Sequence, residues 1–237
     1  RLQTHASVIR RSCNGLTDGS ITVTAAGGTV AYQYSKDNGA TFQAGNVFSS
    51  LAASSYTIVV KDAHACSTSS LVTLTQPTAV TASVATANVS CNGGSNGTIT
   101  VTAGGGSGAG YQYSSDNGGS FQASNTFSGL TAGSYTVIVK DGANCTSASV
   151  PVTITQPTAI SFSTTNVNPL CNGGATGSIT VTASGGTGAL SYSDNNGVSF
   201  QASNAFSGLT GGTYQIVVRD GNNCTTAATP VVLTDPA

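Results

Sequence analysis

Leu130–Cys145 reads LTAGSYTVIVKDGANC. In an extended chain Tyr135, Val137 and Val139 share one face, and Thr136, Ile138 and Lys140 share the other. The phrase occurs again as LAASSYTIVVKDAHAC at Leu51–Cys66 and as LTGGTYQIVVRDGNNC at Leu209–Cys224, offset by 79 residues each time. A phrase repeated at a fixed period marks a tandem array. The 237 residues therefore divide into three units: 1–77, with a divergent lead-in at 1–12, then 78–157 and 158–237. Units of this size have small cores and gain from a covalent staple.

Each unit opens on Cys-Asn-Gly, at Cys13, Cys91 and Cys171, and continues into ITVT at 21–24, 99–102 and 179–182. Strict alternation of β-branched residues predicts a half-buried strand. A Gly-rich loop follows, at Gly27-Gly28, Gly104–Gly106 and Gly185-Gly186. It lacks the Lys-Ser/Thr ending and the helix of a phosphate-binding loop, so it reads as a connection between strands. Next come Tyr32-Gln33-Tyr34, Tyr111-Gln112-Tyr113 and Leu190-Ser191-Tyr192, each followed by Asn-Gly at 38–39, 117–118 and 196–197. Asn-Gly predicts a hairpin, with a return strand carrying Phe42, Phe121 and Phe200. The last strand of each unit covers 71–75, 150–155 and 230–234, and a Pro closes it at Pro77, Pro157 and Pro236. These short, Pro-stiffened joints predict a rod.

Six or seven short strands, frequent turns and no amphipathic helix make each unit a β-sandwich. The Leu-x-x-Gly-x-Tyr approach to the opening stretch resembles the tyrosine corner of immunoglobulin-like sandwiches. On that reading the hydroxyls of Tyr56, Tyr135 and Tyr214 tie back to upstream backbone, a structural role. The expected fold is all-β: three tandem immunoglobulin-like sandwiches of about 79 residues.

Composition narrows function. Only 6% of residues are charged, against a usual ~25%, and Glu, Met and Trp are absent. The three units carry +2, −1 and −2 in turn. None has the basic field that nucleic acid requires, nor one that would draw it to a membrane surface. No stretch is long and apolar enough to span a bilayer. The chain begins at Arg1 without Met, and is expected to be part of something longer.

Six cysteines, two per unit, point to disulfides and hence to an extracellular, oxidising location. Two repeating schemes suggest themselves. Within-unit pairing joins Cys13–Cys66, Cys91–Cys145 and Cys171–Cys224. Junction pairing joins Cys66–Cys91 and Cys145–Cys171. The first is expected, because each unit then carries its own staple. One difficulty attends it: in a standard immunoglobulin order, a Cys before the second strand and one after the sixth fall at opposite poles.

Candidate chemistry is sparse. His5 and His64 are the only imidazoles, and without Glu there is no carboxylate pair for acid–base catalysis. The chain reads as no enzyme, with no cofactor. Asp116, Asp141 and Asp220 lie in turns that could offer oxygens to calcium, although two or three carboxylates per unit are few for a site of six to eight oxygens. The paired aromatics Tyr111/Tyr113 and Phe121/Phe127 could stack on sugar rings.

Taken together, CNGGSNGTITVTAGGG at 91–106, YQYSSDNGGSFQ at 111–122 and FSGLTAGSYTVIVKDGANC at 127–145 resemble the SprB-type repeat of cell-surface adhesins from gliding Bacteroidetes, proteins exported by type 9 secretion. The likeness covers all three units. The first departs from it at Leu16, Ala53-Ser54 and His64-Ala65. The resemblance implies a structural stalk segment of a long extracellular adhesin or filament, serving attachment or surface motility. Its partners would be neighbouring repeats, surface polysaccharide or like filaments. A glycan- or calcium-binding array and a self-assembling filament subunit are the alternatives.

Overall fold

A computed structural model describes residues 1–9 and 13–236. Among them the chain forms strands only, six to a repeat. The first repeat holds β1 (Gln3–Ile9), β2 (Gly19–Ala26), β3 (Gln33–Ser35), β4 (Val47–Leu51), β5 (Ser54–Lys61) and β6 (Ser67–Leu74). The second holds β7 (Thr78–Ala87), β8 (Gly97–Gly106), β9 (Gln112–Ser114), β10 (Thr126–Leu130), β11 (Gly133–Lys140) and β12 (Val150–Ile154). The third holds β13 (Ser161–Val167), β14 (Gly177–Ser184), β15 (Ser191–Ser193), β16 (Ala205–Leu209), β17 (Gly212–Arg219) and β18 (Thr229–Leu233).

Each repeat builds two three-stranded sheets in the same order: β1-β2-β4 and β3-β5-β6 in the first, with the same pattern in the others. The ITVT alternation becomes the inner face of one sheet. Ile21, Val23, Ile99, Val101, Ile179 and Val181 are fully buried. The other sheet answers with Ile58 and Val60, Val137 and Val139, and Ile216 and Val218, all equally buried. At the start of β5, β11 and β17 a tyrosine hydroxyl donates to a carbonyl four residues back: Tyr56 to Ala52 and Tyr135 to Thr131 at 2.9 Å, Tyr214 to Thr210 at 3.0 Å.

The divergent lead-in contributes a strand: residues 3–9 form β1, in register with β2 from Gln3↔Ala26 to Ile9↔Ser20. Its half-buried Thr4 and Ala6 supply the alternation, although the residues differ from those of later repeats. Arg10 and Arg11, the basic part of that lead-in, lie outside the described residues. The return strand after Asn-Gly shrinks to one bridge per repeat, Tyr34↔Gln43, Tyr113↔Gln122 and Tyr192↔Gln201. Both turn residues have positive φ, 60° at Asn117 and 88° at Gly118. The Asp116 carboxylate then captures the Ser120 amide at 2.9 Å and widens the loop before pairing can extend.

By density of contact the chain forms two compact units. The first comprises Arg1–Val84, Val101–Asn125 and Thr136–Pro151. Its core includes Leu2, Ile21, Val23, Phe48, Ile58 and Val60. The second comprises Ala85–Thr100, Thr126–Tyr135 and Val152–Ala237, with Ile179, Val181, Phe206, Ile216, Val218 and Leu233 in its core. Strand sets follow the repeats, whereas the compact units divide the middle repeat.

Candidate functional site at the repeat junctions

Each cysteine is held by its own turn. After β5, β11 and β17 the chain reads Asp-x-x-x-Cys, and the Asp amide donates to the Cys carbonyl at 3.0 Å in all three repeats. The residue before the cysteine takes positive φ, 64° at Asn144 and 65° at Asn223. One carboxylate oxygen of Asp141 accepts from the amides of Ala143 (3.0 Å) and Cys145 (2.8 Å). The other accepts from Ser107, in the Gly-rich loop, at 2.7 Å. Asp220 does the same for Asn222, Cys224 and Thr187, and Asp62 for His64, Cys66 and Thr29.

These aspartates are buried. For Asp141 and Asp220 burial pushes the pKa up, but the three amides outweigh it and the net direction is down. For Asp62 the Thr29 amide is the largest influence, and it too is lowered. Gly28, Gly106 and Gly186 let the loop approach, since a Cβ on Gly106 would meet the Asp141 carboxylate.

The opening turn is built differently. Gly94 N–H donates to the Cys91 carbonyl at 3.0 Å, and Gly93 has φ 73°. The turn then latches onto the Gln-Pro segment that ends its own repeat: Asn92 Nδ2 donates to the Pro157 carbonyl and Gly93 N–H to Gln156 Oε1, at 3.0 and 2.8 Å. Asn14 with Pro77 and Gly15 with Gln76 repeat the arrangement at 3.0 Å each.

The turns set the pairing. Cys13 bonds Cys145 and Cys91 bonds Cys224, with Cα–Cα 5.5 and 5.6 Å, across 132 and 133 residues. Cys66 and Cys171 are free and exposed. This corrects the expected Cys13–Cys66, Cys91–Cys145 and Cys171–Cys224 bridges, and it is not the junction scheme either. The reason is the direction of the strands. Cys13 precedes Gly19, which pairs with Leu51 beside the start of β5. Cys66 follows Lys61 at the far end of β5. Eight residues at ~3.3 Å each put roughly 23 Å between those ends, while a disulfide needs Cα atoms within ~7 Å. The same geometry separates Cys171 from Cys224 across β17. The opening cysteine of one repeat instead meets the closing cysteine of the next. At the second bridge Asn222 Nδ2 also donates to the Ser90 carbonyl, at 3.0 Å.

Asp116, the remaining calcium candidate, accepts from the Ser114 hydroxyl (2.6 Å) and from both the amide and hydroxyl of Ser120. Those bonds, Ser114 foremost, hold its carboxyl well below the ordinary range. Asp116, Asp141 and Asp220 thus each serve their own turns and do not converge, and no three His, Cys, Asp or Glu side chains gather among the described residues. Of the paired aromatics, Tyr111 donates its hydroxyl to the Gly105 carbonyl at 2.6 Å, and the Phe121 ring lies 4.4 Å from the Lys140 ammonium. Phe42 and Phe200 are capped likewise by Lys61 and Arg219.

Two sets of residues escaped the sequence reading: the aspartates as holders of the cysteines, and the Asn/Gln latch. Both were detectable as fixed spacings, Asp four before each closing Cys and Cys-Asn-Gly paired with Gln-Pro in two repeats.

Six strands in two sheets, a tyrosine at the corner and a tandem period define an array of immunoglobulin-like sandwiches. The SprB repeat family model matches the chain at three places, residues 11–41, 83–120 and 163–199. Each match runs from the opening cysteine region to the Asn-Gly turn. No curated protein sequence matches the chain. Among solved structures, the fibronectin(III)-like modules of Clostridium thermocellum CbhA are 16% identical, covering 64% of this chain and 94% of theirs, with TM-score 0.29. The N-terminal eight Ig domains of Down Syndrome Cell Adhesion Molecule are 11% identical over 98% of this chain and 36% of theirs, with TM-score 0.38. Domains 4–9 of surface layer protein SbsC are 18% identical over 100% and 47%, with TM-score 0.30. The chain spans less than half the length of either of the last two.

Proposed function

We propose that this chain is a structural stalk segment of a bacterial cell-surface adhesin or extracellular filament, serving attachment or surface motility. One observation carries the reading: the disulfides tie successive repeats together and do not staple single ones. A staple within a repeat stabilises that repeat, whereas a bridge between repeats preserves the connection between them when the chain is pulled. In the chain-entropy model a loop of this size contributes ~5 kcal/mol, a large share of a small domain's stability. Disulfides of this kind suit the extracellular face of the cell. Asp116, Asp141 and Asp220 serve their own turns and the Phe121 ring sits against Lys140, which supports a structural role.

The test is retention of beads coated with the 237-residue chain on polysaccharide-coated glass, with and without calcium. A stalk segment is expected to hold no better than a bare bead. Calcium-dependent or sugar-competed retention would overturn the reading in favour of a binding array.

A further inference from the structure

The first repeat differs from the other two along one side. Its sheets end there on β1 and β6, the outer strands of the orders β1-β2-β4 and β3-β5-β6. A cleft of about 600 Å³ borders both strands, lined by Arg1, Thr4 and His5 from one and by Thr68, Ser69 and Ser70 from the other. Its volume falls in the usual range of ligand sites, ~300–1,000 Å³. Thr4, Thr68 and Ser70 take half-buried positions of their strands, so hydroxyls line the gap between the sheets. Thr4 Oγ1 is buried with no hydrogen-bond partner, which is costly unless a polar group reaches it. In the third repeat the pair Ser161↔Ser184 matches Gln3↔Ala26, which puts Phe162 at the place of Thr4. Phe162 packs against the third core, so the first repeat has a polar opening where the third has a ring.

The edge of β6 is open as well. Leu71 pairs with Thr57 as Pro230 pairs with Gln215 in the third repeat, and Pro151 holds the same place in the second. Proline is tolerated in an edge strand where its missing N–H would point away from the sheet. Leu71 restores that outward donor, in a strand of eight uncharged residues without Pro. Such an edge is a template for a further strand. Charge then selects among strands. Arg1 and His5 stand where the later repeats have Ala79 and Ala159, and Ser83 and Ser163. No acidic side chain lines the cleft among the described residues, and the first repeat carries +2.

We propose that this cleft binds an acidic peptide of another protein in extended conformation. The peptide backbone pairs with the outward groups of Ser69 and Leu71, while its carboxylates meet Arg1, His5 and the Thr4, Thr68 and Ser70 hydroxyls. The inference goes beyond the stalk reading and does not depend on it.

The probe is a labelled, end-capped hexapeptide of alternating Val and Asp, with a Val/Lys counterpart, titrated against the full chain by fluorescence anisotropy. The parent should bind the Val/Asp peptide and not the Val/Lys one, more weakly as salt rises. Each variant borrows its residue from another repeat, and thermal midpoints check that it is folded. Leu71→Pro removes the outward donor and Thr4→Phe fills the cleft, and each should weaken binding roughly tenfold or more. His5→Ser should weaken it less and flatten the salt dependence. A parent that ignores the Val/Asp peptide, or binds both peptides equally, would overturn the proposal. So would full affinity in folded Thr4→Phe. Displacement of the peptide by sulfate, with Leu71→Pro binding as the parent does, would assign the cleft to a free oxyanion. Self-association of the parent that Leu71→Pro abolishes would assign the edge to a second copy. Either result overturns the peptide.

Discussion

At the scale of single residues, the aspartates before the closing cysteines join two loops through one side chain. Asp141→Ala would leave the amides of Ser107, Ala143 and Cys145 without their acceptor at a buried site. We expect a loss of ~3 kcal/mol or more by urea denaturation, and slower formation of Cys13–Cys145 on refolding. A loss under 1 kcal/mol would contradict this role. The same group sets the response to acid. Asp37, Asp62, Asp116, Asp141 and Asp220 all have folded pKa values below the ordinary carboxylate value. A depressed folded pKa contributes stability that is complete above the unfolded value, near 4, and drains as pH falls through the folded one. Urea midpoints should therefore stay level from pH 7 to about 5 and fall steadily below 4. A midpoint unchanged at pH 2 would exclude these carboxylates from the stability balance.

At the scale of elements, the strands were legible because their residues state their own period. ITVT alternates, and Val137 and Val139 share a face whatever surrounds them. The tyrosine could be assigned from its spacing to the preceding Leu, and Tyr135→Phe should cost ~1 kcal/mol through the lost bond to Thr131. An unchanged thermal midpoint would show that the bond contributes nothing net. The pairing of Cys13 was not legible in the same way. Its partner depends on the pole at which each strand ends, whereas the spacing inside one repeat, 53 or 54 residues in all three, points to the nearer cysteine. β2 and β5 both run away from the end where Cys13 lies, so the second cysteine of the repeat is carried out of reach. The role of Asp141 was hidden for a related reason: the Ser107 amide it accepts is far away in sequence and near only after the sheets have packed.

At the scale of the whole molecule, the two bridges overlap, since Cys91 lies before Cys145 along the chain. The shortest covalent route from end to end goes from 1 to 13, crosses to 145, returns to 91, crosses to 224 and leaves at 237. That is about 80 residues, or ~280 Å fully drawn out, against ~830 Å for the whole chain after reduction. Single-molecule pulling should show this threefold difference on adding reductant, and equal lengths would mean that the bridges do not hold under load. The overlap has a second effect, on digestion. Segments 13–91, 91–145 and 145–224 all connect the same two bridged pairs, as three parallel routes. A protease that cuts one of them, or two, leaves both termini on one molecule. Nicks would show only on a reducing gel, and the ends would part only after every route had been cut.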